Sequence, residues 1–180
     1  YFDSEKGFFL NKQPLKIHGV CMHHDLGVIG AAFNKTAAKR QLTILKEMGC
    51  NAIRFSHNPP ASAMLDLCDE MGFLVMVEAF DMWKKKKNKF DYHLEFEEWH
   101  ERDLQAMILR DRNHPSVFMW SIGNEIGEQF DSTGTVIAKR LVDIVKALDT
   151  TRPVTSALTE TFPEKNFITK AGNLDVLGFN

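Results

Sequence analysis

Cysteine is scarce in this chain. Cys21, Cys50 and Cys68 are odd in number and show no Cys-x-x-Cys spacing. That argues against a disulfide frame or a zinc knot, and the three read as small core residues. An excess of either charge is lacking as well. Lys and Arg number 22 against 24 Asp and Glu, a net charge of −2, which gives no reason to expect nucleic acid or an anionic membrane as a partner. The one basic run, Lys84 to Lys87 with Lys89, is followed by Glu95, Glu97, Glu98 and Glu101, so it reads as a solvated loop. No apolar run approaches the length of a membrane span, and no leader pattern opens the chain. The first residue is Tyr1 rather than Met. The chain is therefore expected to be a piece of a longer protein, and the lack of a leader says nothing about its compartment. No Gly-x-Gly-x-x-Gly follows the first strand, so the dinucleotide fingerprint is absent.

What is present is an ordinary globular composition, 44% hydrophobic and 26% charged, sufficient for a real core. Residues 8–18 read as two short strands around an Asn-Lys turn. Apolar runs at 15–23, 51–56, 73–80, 116–122, 153–158 and 174–179 then read as strands. Helix-period segments fall between them at 36–48, 62–71, 96–111 and 133–148, with a weaker one near 164–171. Leu42, Leu45 and Met48 mark the inner face of the first helix. Val136, Ile137, Leu141, Ile144, Val145 and Leu148 mark that of the fourth. Regular strand–helix alternation predicts a parallel α/β sheet with right-handed crossovers.

The run Ser116-Val-Phe-Met-Trp-Ser-Ile-Gly-Asn-Glu125 carries the most chemical information. A β-branched and aromatic strand ends in Gly-Asn-Glu, which places a carboxylate and an amide at a C-terminal strand edge, where parallel α/β proteins build active sites. Burying a charged carboxylate is costly, and burial raises a carboxyl pKa, which suits a general acid. Polar residues gather at other strand ends too: His23, His24 and Asp25; Arg54, Ser56 and His57; Glu78 and Asp81; Asn124; and Asn180. Functional groups on every strand end favour a (β/α)8 TIM barrel over an open sheet. About six βα units are present, so residues 1–180 are expected to form the N-terminal three-quarters of the barrel.

Each group also has a plainer reading. His23 and His24 could be a satisfied polar pair, Arg54 could simply bridge Glu78, and Trp83 and Trp120 are more often core than sugar platforms. Arg110-Asp-Arg-Asn-His-Pro-Ser116 precedes a strand, so it reads as a hydrogen-bonded turn at the opposite, structural face.

Taken together, the segments Leu15–Asp25, Asn51–Pro59, Leu67–Ala79, Asp111–Val117, Trp120–Glu125 and Leu174–Asn180 resemble glycoside hydrolase family 2, and within it the β-galactosidase-like members. The resemblance implies an eight-stranded barrel preceded by β-sandwich domains. It makes Glu125 the general acid/base and Asn124 the group that bonds the sugar 2-hydroxyl. Asp25 and His57 look like groups that grip sugar hydroxyls, and His23 would line the same pocket. Arg54 looks like the residue that holds the nucleophilic carboxylate ionised, with Glu78 as a partner behind it.

Two departures stand out. Val77 occupies a position that is usually Asp. Met82-Trp83-Lys84 stand where members with a magnesium site carry Glu-Thr-His, so no metal is expected there and no cofactor is implied. The family's nucleophile is a Glu at the end of the seventh strand, beyond this chain; Glu160 and Glu164 do not match its motif. The expectation is therefore part of a retaining exo-β-glycosidase acting on terminal β-galactosides, inactive as this segment alone. Its partners would be a carbohydrate substrate, the β-sandwich domains and the C-terminal barrel segment. β-Glucuronidase or another family 2 β-glycosidase is the alternative within the class, and a non-catalytic carbohydrate-binding half-barrel the alternative outside it.

Overall fold

The computed structural model describes residues 1–180. The chain opens with a small antiparallel sheet of β1 (Phe2–Asp3), β2 (Gly7–Leu10) and β3 (Gln13–Pro14). Asn11 and Lys12 both take positive φ, 50° and 68°, as a two-residue turn of the type whose twist matches a hairpin requires. Phe2 and Phe8 pack on Phe118 at the start of a central barrel strand.

The main body alternates strand and helix: β4 (Gly19–Met22), α1 (Lys35–Glu47), β5 (Ala52–Phe55), α2 (Ser62–Met71), β6 (Leu74–Glu78), α3 (Phe96–Asp111), β7 (Val117–Asn124), α4 (Ser132–Leu148), β8 (Val154–Leu158), α5 (Phe167–Ala171) and β9 (Gly178–Phe179). The six strands are parallel and lie in sequence order, β4 to β9. A doubly wound sheet reverses its order at a switch point. This one never reverses, and it curls as an incomplete (β/α)8 barrel.

Period-two alternation divides the sheet. Ile53, Phe55, Val75, Val77, Trp120 and Ile122 face the helices and are buried against Leu65, Leu104, Ile108, Ile137, Leu141 and Val145. Each such aliphatic side chain contributes about 1.5–3 kcal/mol by leaving water. Arg54, Glu78 and Ser121 lie on the other face, toward the barrel interior, where they bond one another.

Several boundaries depart from the sequence reading, and each departure has a cause. The first barrel strand begins at Gly19 rather than at 15, because the Asn51 side chain stands in for a ladder partner. It accepts from His18 N (2.8 Å) and donates to Lys16 O (2.9 Å). Asp175 acts likewise, accepting from Val154 N at 2.8 Å, so the last strand pairs only from Gly178. The fifth helix shortens to Phe167–Ala171 because Asn166 caps it, accepting from Ile168 N and Thr169 N. Met48 is exposed because α1 ends before it. Val136 is exposed because it sits one residue, about 100°, from the Ile137–Leu141–Val145 stripe. Cys21 is exposed rather than core.

The two ends of the sheet differ. At the N-terminal ends of the strands, Asp69 accepts from Ser116 N (2.9 Å) and lies 2.7 Å from His114 Nδ1, which makes the Arg110–Ser116 segment a bonded turn. At the C-terminal ends lies the cavity described next.

Candidate active site

The Gly-Asn-Glu segment closes β7, and each of its three residues has a local physical reason. Gly123 faces crowding: an added Cβ would lie 3.0 Å from Trp83 Nε1 and 3.2 Å from Ser156 Oγ. Trp83 is fully buried and donates Nε1–H to Ile122 O at 2.8 Å, so it is core, as is Trp120. The β7–β8 register shifts between Ser121 and Asn124, an irregularity that re-aims the strand end. Glu125 then takes a left-handed φ of 46°, a conformation that costs a non-glycine residue about 1–3 kcal/mol and clusters at functional sites. Its N–H donates to Ala157 O at 2.7 Å, which helps hold it there.

A cavity of about 420 Å³ at this edge is lined by Cys21, His23, Arg54, Ser56, His57, Asp81, Lys87, Asn124, Glu125 and Asn180. Arg54 is its hub. Its guanidinium grips Glu78 through Nη2 to Oε1 (2.7 Å) and Nε to Oε2 (3.2 Å). It also donates to Asn124 Oδ1 (2.6 Å) and Asn180 Oδ1 (2.9 Å), with Cys21 Sγ 3.5 Å away. Glu78 is wholly buried and accepts the Ser121 hydroxyl at 2.5 Å. Burial pushes the Glu78 carboxyl up, and Arg54 and Ser121 pull it only part of the way back. Burial acts to lower the Arg54 pKa, yet the Glu78 carboxylate outweighs it and the guanidinium ends above its ordinary value. An ion pair that satisfies itself at both ends is the consistent picture.

Asn124 is fixed from two sides. Its Oδ1 accepts from Arg54, and its Nδ2 donates to Asp81 Oδ1 at 2.9 Å. Asp81 also accepts from Lys87 Nζ (2.7 Å) and lies 3.8 Å from His57 Nδ1. Burial works against the Asp81 carboxylate, but the Lys87 and Asn124 bonds hold it below its usual range. His57 is lowered by burial, with His23, Lys87 and Arg54 nearby, despite the pull of Asp81. A neutral imidazole can both donate to and accept from hydroxyls. His23 meets the His57 ring edge to face, centroids 5.1 Å apart. Glu125 receives Asn180 Nδ2 on Oε1 at 2.5 Å.

The structure thus brings together Glu125, Asn124, Arg54, His57 and His23, with Glu78 directly behind Arg54. It does not bring Asp25 there. That carboxylate accepts from Gly27 N at 2.7 Å, closing a local turn, and lines a small neighbouring cavity with His24 and Phe33 that meets the first at His23. Glu125 is exposed in this chain, so the burial expected from its place on an apolar strand is not present. The strand itself is mostly buried, but Glu125, the residue that follows it, turns outward.

The lysine run is exposed, as a solvated loop is, but three of its lysines are engaged. Lys84 pairs with Glu97 (2.7 Å), Lys85 with Asp131, and Lys87 turns into the cavity. Sequence reasoning missed Lys87 because a run of four lysines carries no mark of which one points inward. Asp81 and Asn180 were visible as strand-end polar residues, but only the fold shows what they hold. A larger cavity of about 620 Å³, lined by Phe80, Met82, Tyr92 and Met107 among others, adjoins through His57 and Asp81 and contains neither Arg54 nor Glu125.

The Met82-Trp83-Lys84 positions are committed elsewhere, Met82 and Trp83 to the core and Lys84 to Glu97. The one group with clustered metal-ligand atoms, Asp66, Asp69 and His114, lies at the opposite end of the strands. Asp69 is already engaged there by Ser116 N and His114.

Comparison with known proteins agrees with this geometry. Residues 4–171 match the family described as glycosyl hydrolases family 2, TIM barrel domain. A β-galactosidase of Bacteroides ovatus is 53% identical over 99% of this chain, which spans 24% of that protein. A β-glucuronidase of Bacteroides fragilis is 35% identical over 93% of the chain, again 24% of its own length. A solved structure of a family 2 member from Bacteroides cellulosilyticus superposes on the whole chain with a TM-score of 0.95 at 44% identity, the chain covering 23% of it. The chain spans about a quarter of the length of the relatives it matches, and on a match covering nearly all of its residues it belongs to glycoside hydrolase family 2, as part of that family's TIM-barrel domain.

Proposed function

We propose that the full-length protein carrying this chain is a retaining exo-β-glycosidase that hydrolyses terminal β-galactosides. The observation that carries the reading is the pairing of an accessible Glu125 with an Asn124 amide locked by Arg54 and Asp81 in one cavity. Glu125 in its acid form would donate a proton to the glycosidic oxygen as a carboxylate from the remainder of the barrel attacks the anomeric carbon. In the second step the Glu125 carboxylate would take a proton from water as that water displaces the enzyme ester. Asn124 would bond the 2-hydroxyl, and His57 and His23 would contact other hydroxyls. Arg54 would present its cationic edge toward the attacking carboxylate while Glu78 holds its plane. Asp25 could reach the sugar only if the loop it closes were re-ordered by the rest of the barrel or by the β-sandwich domains.

The galactoside reading over the glucuronide one has a local support. The cavity's two permanent cations, Arg54 and Lys87, already face Glu78 and Asp81. With the remaining edge of Arg54 turned to the attacking carboxylate and Lys87 paired with Asp81, neither would be left for a uronate carboxylate as well. The 53% identity to a β-galactosidase, against 35% to a β-glucuronidase, points the same way.

The test is Glu125→Gln in the full-length protein. General acid–base catalysis contributes about 10²- to 10⁴-fold, so kcat/KM on an alkyl or disaccharide β-galactoside should fall by about that factor. On a dinitrophenyl galactoside, whose leaving group needs little protonation, kcat/KM should change far less. Undiminished hydrolysis of a disaccharide by this variant would sink the assignment.

A further inference from the structure

We infer that Lys87 is a positioning residue for the acid/base: its ammonium, clamped between Asp81 and the Asn124 carbonyl, fixes the peptide that carries Glu125. This rests on the proposed roles of Glu125 and Asn124.

The Asn124–Glu125 peptide joins the end of β7 to the acid/base. Its N–H donates to Ala157 O at 2.7 Å, and its C=O accepts from Lys87 Nζ at 2.9 Å. Both polar atoms of that one peptide are therefore held, on one side by β8 and on the other by a side chain from the loop after β6. The same ammonium lies 2.7 Å from Asp81 Oδ1, and that oxygen accepts Asn124 Nδ2 at 2.9 Å. Lys87, Asp81 and the Asn124 side chain and carbonyl thus form a closed ring of charge-assisted bonds next to a left-handed Glu125. A residue in that conformation relaxes unless its surroundings over-determine it.

Lys87 is itself held in place. The Asp91 carboxylate accepts from Lys87 N (2.8 Å) and Asn88 N (2.6 Å), and from His93 N at 3.0 Å. Tyr92 stacks on Phe80 (5.3 Å) and donates its hydroxyl to Asp103 at 2.6 Å. The backbone of the loop is therefore anchored to α3 and to the end of β6. Only 27% of the Lys87 side chain is exposed, unlike a lysine in a free loop. A lysine serving the loop alone would gain nothing from reaching Asn124 O, since Asp91 already closes the loop through main-chain donors.

The proposal separates from a merely structural salt bridge by what kind of turnover suffers. In the full-length protein, Lys87→Met keeps the stem and removes the charge. Losing one preorganised donor costs about 10²- to 10³-fold where it acts directly on the reacting group. Acting through Glu125, Lys87→Met should lower kcat/KM about 10- to 100-fold on an alkyl β-galactoside and less than about threefold on a dinitrophenyl galactoside. Lys87→Arg, which keeps charge and donors, should recover most of the loss. Asp81→Asn frees the ring from its other side and should narrow the preference for a 2-hydroxy over a 2-deoxy galactoside about three- to tenfold, the worth of one hydrogen bond. Equal losses on both leaving groups, or none, would overturn the inference. Should Lys87→Met fail to fold, Lys87→Gln, which also removes the charge, carries the same comparison, and an unchanged leaving-group dependence in it overturns the inference. Glu125→Gln, run in parallel, keeps the two ideas apart. If that variant lacks the leaving-group pattern, the acid/base reading itself fails; if it shows the pattern and the charge-removing Lys87 variant does not, only the role of Lys87 falls.

Discussion

Removing the guanidinium of Arg54 while leaving Glu78 in place should destabilise the barrel out of proportion to the atoms lost. Glu78 is fully buried and Arg54 is 13% exposed at the side chain, so water screens the pair little. Arg54→Met would leave a carboxylate with only the Ser121 hydroxyl, at 2.5 Å, as donor. Breaking one side of such a buried pair costs about 3–5 kcal/mol, whereas replacing both sides is often close to neutral. Arg54→Met should therefore lose about 3–5 kcal/mol, and Arg54→Met/Glu78→Gln should regain about 2 kcal/mol of it, a coupling within the range for contacting residues. The sign with pH follows from burial, which already holds the Glu78 pKa above its ordinary value. Without Arg54 it rises further. A carboxyl whose folded pKa lies above its unfolded value adds no penalty below the unfolded pKa of about 4.3. The penalty grows as pH climbs through the interval up to the folded pKa, then stays constant. The Arg54→Met deficit should accordingly be larger at pH 8 than at pH 5, and the double variant should lose that pH dependence. Guanidinium unfolding followed by tryptophan fluorescence reads this out, because Trp83 and Trp120 are fully buried in the same core. A loss below about 1 kcal/mol, or no recovery in the double variant, would refute the claim that burial dominates this pair.

Two other perturbations have expected outcomes. Gly134→Ala would place a Cβ 2.2 Å from Glu128 O, a backbone atom, and 3.2 Å from Ile168 Cγ1; a loss of about 1–3 kcal/mol is expected, and an unchanged Tm would mean the 127–130 turn yields freely. Exhaustive chelation should leave hydrolysis of an aryl galactoside by the full-length protein intact, because Met82 and Trp83 are buried apolar groups and Lys84 is a cation paired with Glu97. A large loss on EDTA dialysis that magnesium restores would point to a metal site these residues do not form.

The order of strands and helices was legible because burial imposes a period on the sequence that chain topology does not disturb. Ile53, Phe55, Val75 and Val77 show it on the strands, and Ile137, Leu141 and Val145 on α4. Legibility failed where a side chain replaced a main-chain partner. Asn51 and Asp175 each take a ladder position, and no apolar pattern records that substitution. At the site, Arg54 and Glu78 project where alternation puts them; Asn124 joins them only because the register of β7 shifts after Ser121, and Glu125 follows at the very edge. Residues on connecting loops were not placed correctly. Asp25 turned to its own loop through Gly27, and Lys87 came in from a run that reads as solvent-facing. A loop residue's direction is set by its local turn bonds, such as the Asp91 carboxylate under Lys87, and those depend on backbone geometry that composition does not encode.

The contrast between the two ends of the sheet explains why equally dense polar motifs have different uses. At the N-terminal end Asp149 receives Thr151 N (2.8 Å), the Thr151 hydroxyl (2.6 Å), Trp120 Nε1 (3.0 Å) and Arg152 Nη1 (2.7 Å). Burial opposes its charge, yet these donors hold it well below the ordinary aspartate range. Such a carboxylate has no lone-pair direction left for a ligand. What it does instead is tie the turn before β8 to Trp120 on β7, while Arg152 reaches back to Val117 O at 2.6 Å. At the C-terminal end Glu78, behind the cavity, is likewise held on both oxygens by Arg54 and Ser121, and Asp81 is held on Oδ1 by Lys87 and Asn124. The groups in front are less engaged. Glu125 accepts one side-chain bond, and His57 and His23 meet only each other's rings and the 3.8 Å approach of Asp81. A firmly bonded layer that holds a more open one is what a hydroxyl-rich ligand requires. The inner bonds fix direction, and the outer groups keep donors and acceptors open until the sugar supplies their partners.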